Sequence, residues 1–119
     1  MIMSRVTILH NPRCSKSRQT LALLQEQGVE PDVIEYLKTP LTVDELRTLY
    51  SKLNLKTVTA MMRTKEAEFK QAGLDLENVS EDAYFQAMAE TPKLLERPVV
   101  INGARARIGR PPEAVLEIL

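Results

Sequence analysis

Strand-like apolar runs stand only at the two ends of this 119-residue chain, and the long stretch between them is patterned for helix. That order restricts the fold more than any other feature. Strands drawn from both ends have to share one sheet, with the middle excluded from it. Val6-Thr7-Ile8-Leu9 is a short β-rich run ending at Asn11-Pro12, and it reads as a first buried strand. From Ser15 the period becomes helical, with Leu21 and Leu24 in step and Gly28 as the C′ terminator. Asp32 to Leu37 returns to strand, centred on Val33 and Ile34, and stops at Thr39-Pro40.

The middle opens on Thr42-Val43-Asp44-Glu45, a capping box in which Thr42 accepts from a backbone N–H and Glu45 reaches back. Leu46, Leu49, Tyr50 and Leu53 follow at amphipathic helical spacing. Thr57 to Arg63 and Lys65 to Gln71 are further helical pieces, stopped by Gly73. A helix from Ser80 or Glu81 to Glu90 is expected to bury Ala83, Ala87 and Met88. Strands resume after Pro98. Val99-Val100-Ile101, Asn102-Gly103 and Ala104 to Ile108 form a hairpin signal, with Asn-Gly suited to both positive-φ positions of a type I′ turn. Arg105 and Arg107 alternate with Ala104, Ala106 and Ile108, so they belong to the exposed face. Pro112 suits the first turn of a last helix, Glu113 to Leu119.

The order β-α-β, helical block, β-β-α predicts an α/β fold with a thioredoxin-like four-stranded mixed sheet and helices on both faces. Its length fits a single domain, residues 1–119, with a helical insertion at about 42–95. Sixteen basic side chains balance sixteen acidic ones, which removes the general electrostatic reason to expect nucleic acid or an anionic membrane as partner. With aromatics at 4% and no Trp, stacking platforms for single strands are lacking too. The longest unbroken apolar run, Leu21 to Leu24, is far short of the roughly 20 residues that cross a bilayer. The N-terminus reaches His10-Asn11-Pro12 too soon for a secretory apolar region, so a cytoplasmic location is expected. One cysteine and one histidine exclude an internal disulfide and a structural zinc site, and no metal is expected.

Attention therefore falls on Cys14, where the first strand hands over to the first helix, within His10-Asn11-Pro12-Arg13-Cys14-Ser15-Lys16-Ser17-Arg18. A thiol at a helix N-terminus faces unpaired N–H groups and the positive end of the helix dipole, and both favour thiolate. Arg18 is one turn on and can approach from the same face, while Arg13 and Lys16 add positive potential. The alternative is a small, buried, inert apolar residue. Ser17 occupies the place of the second cysteine of a dithiol oxidoreductase. It can donate to a thiolate but cannot resolve a disulfide, so any redox cycle borrows an external thiol. His10 could orient a water or stabilise the thiolate, or simply end a strand bonded to backbone. Arg63, Arg97 before Pro98 and Arg110 before Pro111 are candidate oxyanion ligands, because a guanidinium fork donates two parallel N–H bonds. The alternative for each is a solvated charge or a carboxylate partner.

These residues together resemble the glutaredoxin-coupled arsenate reductases and their close relatives. The likeness runs from His10–Arg18 through Glu30-Pro31, Tyr36-Leu37 and Met61-Met62-Arg63-x-Lys65. It continues through Glu96-Arg97-Pro98-Val99-Val100 to Ile108-Gly109-Arg110-Pro111-Pro112. The chain is most similar to the short subgroup that ends soon after the last helix. The resemblance implies a thioredoxin-like fold with a helical insertion. Cys14 would be the nucleophile, Arg63, Arg97 and Arg110 would bind substrate, and His10, Ser17 and Arg18 would tune the thiolate. It further implies reduction of arsenate, As(V) to As(III), with no tightly bound cofactor, glutathione as co-substrate and glutaredoxin as partner. Ser15 and Lys16 depart from the family's frequent Gly and Thr, and Gly109 stands where some members carry a cysteine. The competing expectation is a redox-linked regulator, or a general glutathione-dependent thiol oxidoreductase or binding protein of the same fold, without arsenate activity. The regulatory branch typically carries Cys-x-x-Cys, which Ser17 interrupts. A phosphatase-type reductase needs Cys-x5-Arg, whereas here the spacing is Cys14-x3-Arg18.

Overall fold

The computed structural model describes residues 6–74 and 79–119. They divide into two compact units, one formed by Met1–Thr39 with Arg97–Leu119 and the other by Pro40–Glu96.

The first unit holds the sheet. Strands β1 (Val6–Leu9), β2 (Asp32–Ile34), β3 (Val99–Asn102) and β4 (Arg105–Ile108) lie in the order β2-β1-β3-β4. β1 pairs parallel with β2 and antiparallel with β3, and β3 pairs antiparallel with β4. The sheet is therefore mixed, as the order of elements predicts, and chain segments from both ends meet at its centre. Helix α1 (Ser15–Glu26) carries the chain from β1 toward β2 and closes in a Schellman motif. Gly28 at φ 78° donates to the Gln25 carbonyl, and the Val29 N–H donates to the Leu24 carbonyl.

The structure corrects three details. β2 stops at Ile34 rather than Leu37. It is an edge strand with Val33 48% exposed, so its apolar residues do not mark a buried core. In the hairpin Asn102 pairs with Arg105, leaving Gly103-Ala104 as the loop with positive φ at Gly103 alone, the pattern of a type II′ turn. The Asn102 side chain instead donates to the Ile118 carbonyl at 2.6 Å. The last helix, Pro112–Ile118, is wound as 3-10, and its buried residues Pro112, Val115 and Ile118 recur every third position, in step with three residues per turn. α1 and this last helix lie on one face of the sheet. Leu21, Leu24, Val115 and Ile118 join Val6, Ile8 and Val100 in one apolar cluster.

The second unit is helical. Helix α2 (Val43–Leu53) begins in the expected capping box, with the Glu45 N–H donating to Thr42 Oγ1 and the Thr42 N–H donating to Glu45. It buries Leu46, Leu49 and Leu53. Thr57 to Arg63 contributes only a 3-10 turn, Val58–Met61, and α3 is shorter than expected at Ala67–Gln71. Helix α4 (Glu81–Glu90) is capped by Ser80 and buries Tyr84, Phe85, Ala87 and Met88, leaving Ala83 half-buried. Its aromatic rings engage Tyr50 edge-on and Phe69 by stacking. After a second 3-10 turn, Pro92–Leu94, Leu95 forms an antiparallel bridge to Met62. Among the described residues no helix is long and apolar enough to cross a membrane, and no cluster of His, Cys, Asp or Glu is suited to hold a metal.

Candidate active site

The site is built on the junction between β1 and α1. Pro12 cannot donate to a ladder and Asn11 favours a turn, so the chain leaves β1 and doubles back through Asn11. The Asn11 side chain accepts from the Arg13 N–H at 3.0 Å, and its carbonyl accepts from the Cys14 N–H at 3.0 Å. Cys14 is thereby set at the N-cap of α1 in extended geometry (φ −95°, ψ 124°), half-buried and free. An N-cap side chain lies beside the second and third N–H groups of the helix, here those of Lys16 and Ser17, although Cys14 closes no cap hydrogen bond with them.

Opposing effects act on the sulfur. Burial, the largest, pushes the Cys14 thiol up. The backbone N–H of Ser17, the Arg97 guanidinium and the Lys16 N–H together outweigh it and hold the thiol below its ordinary value. This half-exposed, polar environment differs from that of a packed apolar cysteine.

Two arginines from the far end of the chain converge on the same atom. Arg110, just past β4, places Nη2 3.8 Å from Cys14 Sγ, and its Nε donates to the Arg97 carbonyl at 2.8 Å. Arg97 enters β3 through Pro98, and both the Arg97–Pro98 and Arg110–Pro111 peptide bonds are cis. The Nε of Arg97 is buried and meets no acceptor within the protein. A buried donor left unmatched is costly unless a ligand supplies the acceptor, so this nitrogen is suited to an anion.

His10 ends β1 bonded to backbone, one of the two readings open to it, while the Ser17 and Arg18 side chains hold the loop rather than face the sulfur. Ser17 is fully buried, and its hydroxyl lies 2.7 Å from His10 Nδ1 while accepting from the Asn11 N–H at 3.0 Å. Its backbone N–H favours the Cys14 thiolate without closing a cap hydrogen bond, whereas its hydroxyl ties β1, the turn and α1 together. His10 is 7% exposed, and its own N–H donates to the Ile34 carbonyl of β2. Burial chiefly, with the Arg18 charge, holds its imidazole below the usual histidine range, against the pull of Glu35. In a neutral ring the tautomer sets which of the two atoms, Nδ1 or the Ser17 hydroxyl, carries the shared proton. Arg18 does not turn to the sulfur. Its Nη1 donates to the Pro12 carbonyl at 2.9 Å and clamps the turn from outside.

Arg63 belongs to the second unit. Its Nε and Nη2 hold Glu66 Oε1 at 2.8 and 2.7 Å, and Nη1 lies 3.8 Å from Glu96. Arg105 is exposed, and Arg107 bonds Glu117, so both are the surface charges expected of them. Asn11 is the residue that sequence reasoning passed over. The Asn-Pro dipeptide signals a turn, but it does not announce that one side chain and one backbone unit would organise the whole loop.

Comparison with known proteins finds relatives that span nearly the whole chain. A family model described as the ArsC family matches residues 9–118. An Arsenate reductase of Haemophilus influenzae is 50% identical over 96% of this chain and 98% of its own. An uncharacterized Escherichia coli protein, YfgD, is 52% identical over 97% of both chains. Among solved structures, an Arsenate reductase from Vibrio cholerae superimposes with a TM-score of 0.96 at 56% identity, covering 99% of this chain and 100% of its own.

Proposed function

The chain belongs to the ArsC family, and from that premise we propose that it is an arsenate reductase whose nucleophile is the Cys14 thiolate. The observation that carries this reading is the convergence of the Arg97 and Arg110 guanidinium groups on one sulfur that is already biased toward its anion. Nucleophile and anion-binding donors thus face the same small volume, the arrangement a displacement on a tetrahedral oxyanion requires.

In the reaction the Cys14 sulfur bonds to As(V) as hydroxide leaves and takes up a proton to depart as water. Arg97 and Arg110 hold the remaining oxygens and the charge that develops on them. Glutathione then supplies the second sulfur. Arsenic takes up two electrons, arsenite departs, and the two sulfurs are left as a mixed disulfide on Cys14. Glutaredoxin removes the glutathione by thiol exchange, and a second glutathione completes the cycle. The sum is arsenate plus two glutathione giving arsenite, glutathione disulfide and water. Since Cys14 is the sole cysteine, the electrons that regenerate it come from outside the chain. A cytoplasmic location, where a reduced glutathione pool is maintained, suits that demand. His10 and Ser17 set the loop that aims the N–H groups, and Arg18 holds it closed. For Arg63 an oxyanion role rests on the family resemblance alone.

The test is arsenate-dependent oxidation of glutathione by the purified protein with glutaredoxin, run beside the pH dependence of Cys14 alkylation. Turnover, with arsenate protecting an acidic thiol, is the expected result. An acidic thiol indifferent to arsenate, with no turnover, would instead mark a general thiol oxidoreductase of this fold.

A further inference from the structure

We infer that Gly109 is a positioning residue of this site: its bare backbone is the wedge point at which α1, the Arg97–Pro98 segment and Arg110 are brought together around Cys14. The inference rests on the proposed reading of that site as an anion-binding thiolate centre, and adds a residue that makes no contact with substrate.

Conformation is not what requires a glycine at position 109. Its φ lies outside the left-handed region, unlike those of Gly28, Gly73 and Gly103, so backbone conformation does not demand glycine. Space does. Gly109 is buried, and a Cβ built on it lands 2.7 Å from Thr20 Oγ1, 2.8 Å from Pro98 Cγ and 3.3 Å from Thr20 Cγ2. Two walls of different origin close on the same point, so a side chain cannot escape one without pressing the other. Neither wall yields easily. Thr20 is fully buried and β-branched, and its hydroxyl donates to the Lys16 carbonyl at 2.8 Å. The Pro98 ring has no rotatable side chain to swing away, and its carbonyl accepts the Gly109 N–H at 2.8 Å.

Each wall is covalently next to the chemistry. Thr20 anchors on Lys16, in the turn of α1 whose N–H groups act on the sulfur. Pro98 follows Arg97, and Arg110 follows Gly109. Widening this junction by a methyl group moves the guanidinium groups and the helix start apart, and the sulfur stands between them. A displacement of this kind at a centre that needs aligned donors costs about tenfold or more in rate.

The test compares wild type, Gly109→Ala and Gly109→Ala/Thr20→Ala by circular dichroism, by the pH midpoint of Cys14 alkylation with iodoacetamide, and by arsenate kinetics. The expected result is a folded Gly109→Ala protein whose alkylation midpoint rises and whose kcat/KM for arsenate falls about tenfold or more. The double variant, with one wall cut back, recovers toward wild type on both readouts. A folded Gly109→Ala protein with the wild-type midpoint overturns the inference, as does a double variant no better than the single one. If the single variant does not fold, the double variant decides: a folded protein with an acidic thiol supports the wedge, and one with an ordinary thiol overturns it. Alkylation needs no arsenate, so a wild-type protein that fails to reduce arsenate sinks the proposed substrate and still leaves Gly109 tested.

Discussion

At the scale of single residues the proposed chemistry depends on one sulfur and the donors around it. Cys14→Ser is expected to abolish arsenate reduction, since a serine hydroxyl cannot carry the electrons. Arg97→Ala should lower kcat/KM by about 10²–10³-fold, the usual consequence of losing one donor to developing negative charge, with the circular dichroism spectrum retained. A folded Arg97→Ala protein with near-wild-type kcat/KM contradicts the role given to that guanidinium. The acidity of Cys14 also has a thermodynamic signature. Its thiol sits lower in the folded protein than in the unfolded chain, so above the folded value the native state binds fewer protons than the unfolded one. Stability of wild type relative to Cys14→Ser should therefore rise with pH, from the folded value up to about 8.5, the ordinary thiol value, and fall away on acidification. Urea unfolding of both proteins at several pH values checks the sign, and a difference that does not change with pH refutes it. His10 adds a window of its own. Its pKa is lowered by burial, so the unfolded chain gains the proton first as pH falls through about 6.5, and the native state weakens there.

At the scale of elements, what was legible in the sequence was what local chemistry dictates. Thr42-x-x-Glu45 announces its capping box, Gly28 its Schellman stop, and Ser15 the start of the helix that leaves Cys14 at the N-cap. Thr42→Ala should accordingly cost about 1 kcal/mol of stability, read as a lowered urea midpoint at unchanged m-value. Gly28→Ala should cost a similar amount, since only glycine adopts φ 78° without strain. What long-range contact decides was hidden. Val33 and Ile34 have the composition of a buried strand yet lie on the sheet edge, because nothing local says which side β2 will take. Asn102-Gly103 reads as the turn itself, but the pairing of β3 with β4 moves the loop one residue on and gives Asn102 to the C-terminal helix. The three-residue spacing of Pro112, Val115 and Ile118 was on view, and it becomes a 3-10 helix only when the sheet provides a face to cover. In the site, Cys14 and the arginine pair Arg97 and Arg110 were visible as residue types. That Arg18 turns to Pro12 and the Ser17 hydroxyl to His10 was not, because side-chain direction is fixed by packing.

At the scale of the molecule, the site joins segments that are 96 positions apart between Cys14 and Arg110. Anion binding should therefore oppose unfolding of the unit that contains both. At an arsenate concentration 100 times its Kd, the protein should gain about 2.7 kcal/mol of stability, seen as a raised Tm. Arg97→Ala should lose most of that gain. A Tm indifferent to arsenate in the wild type contradicts the anion site.

The burial of Ser17 beneath His10 sets a limit on how this scaffold could be altered. A sulfur at position 17 would give the chain a resolving partner and free it from borrowed thiols, and the substitution is chemically the smallest available. It would also place a bulkier, poorer acceptor where the oxygen now receives the Asn11 N–H and meets the imidazole. Self-sufficiency in electrons and a rigid nucleophile loop are thus rival uses of one position, and this protein is committed to the second.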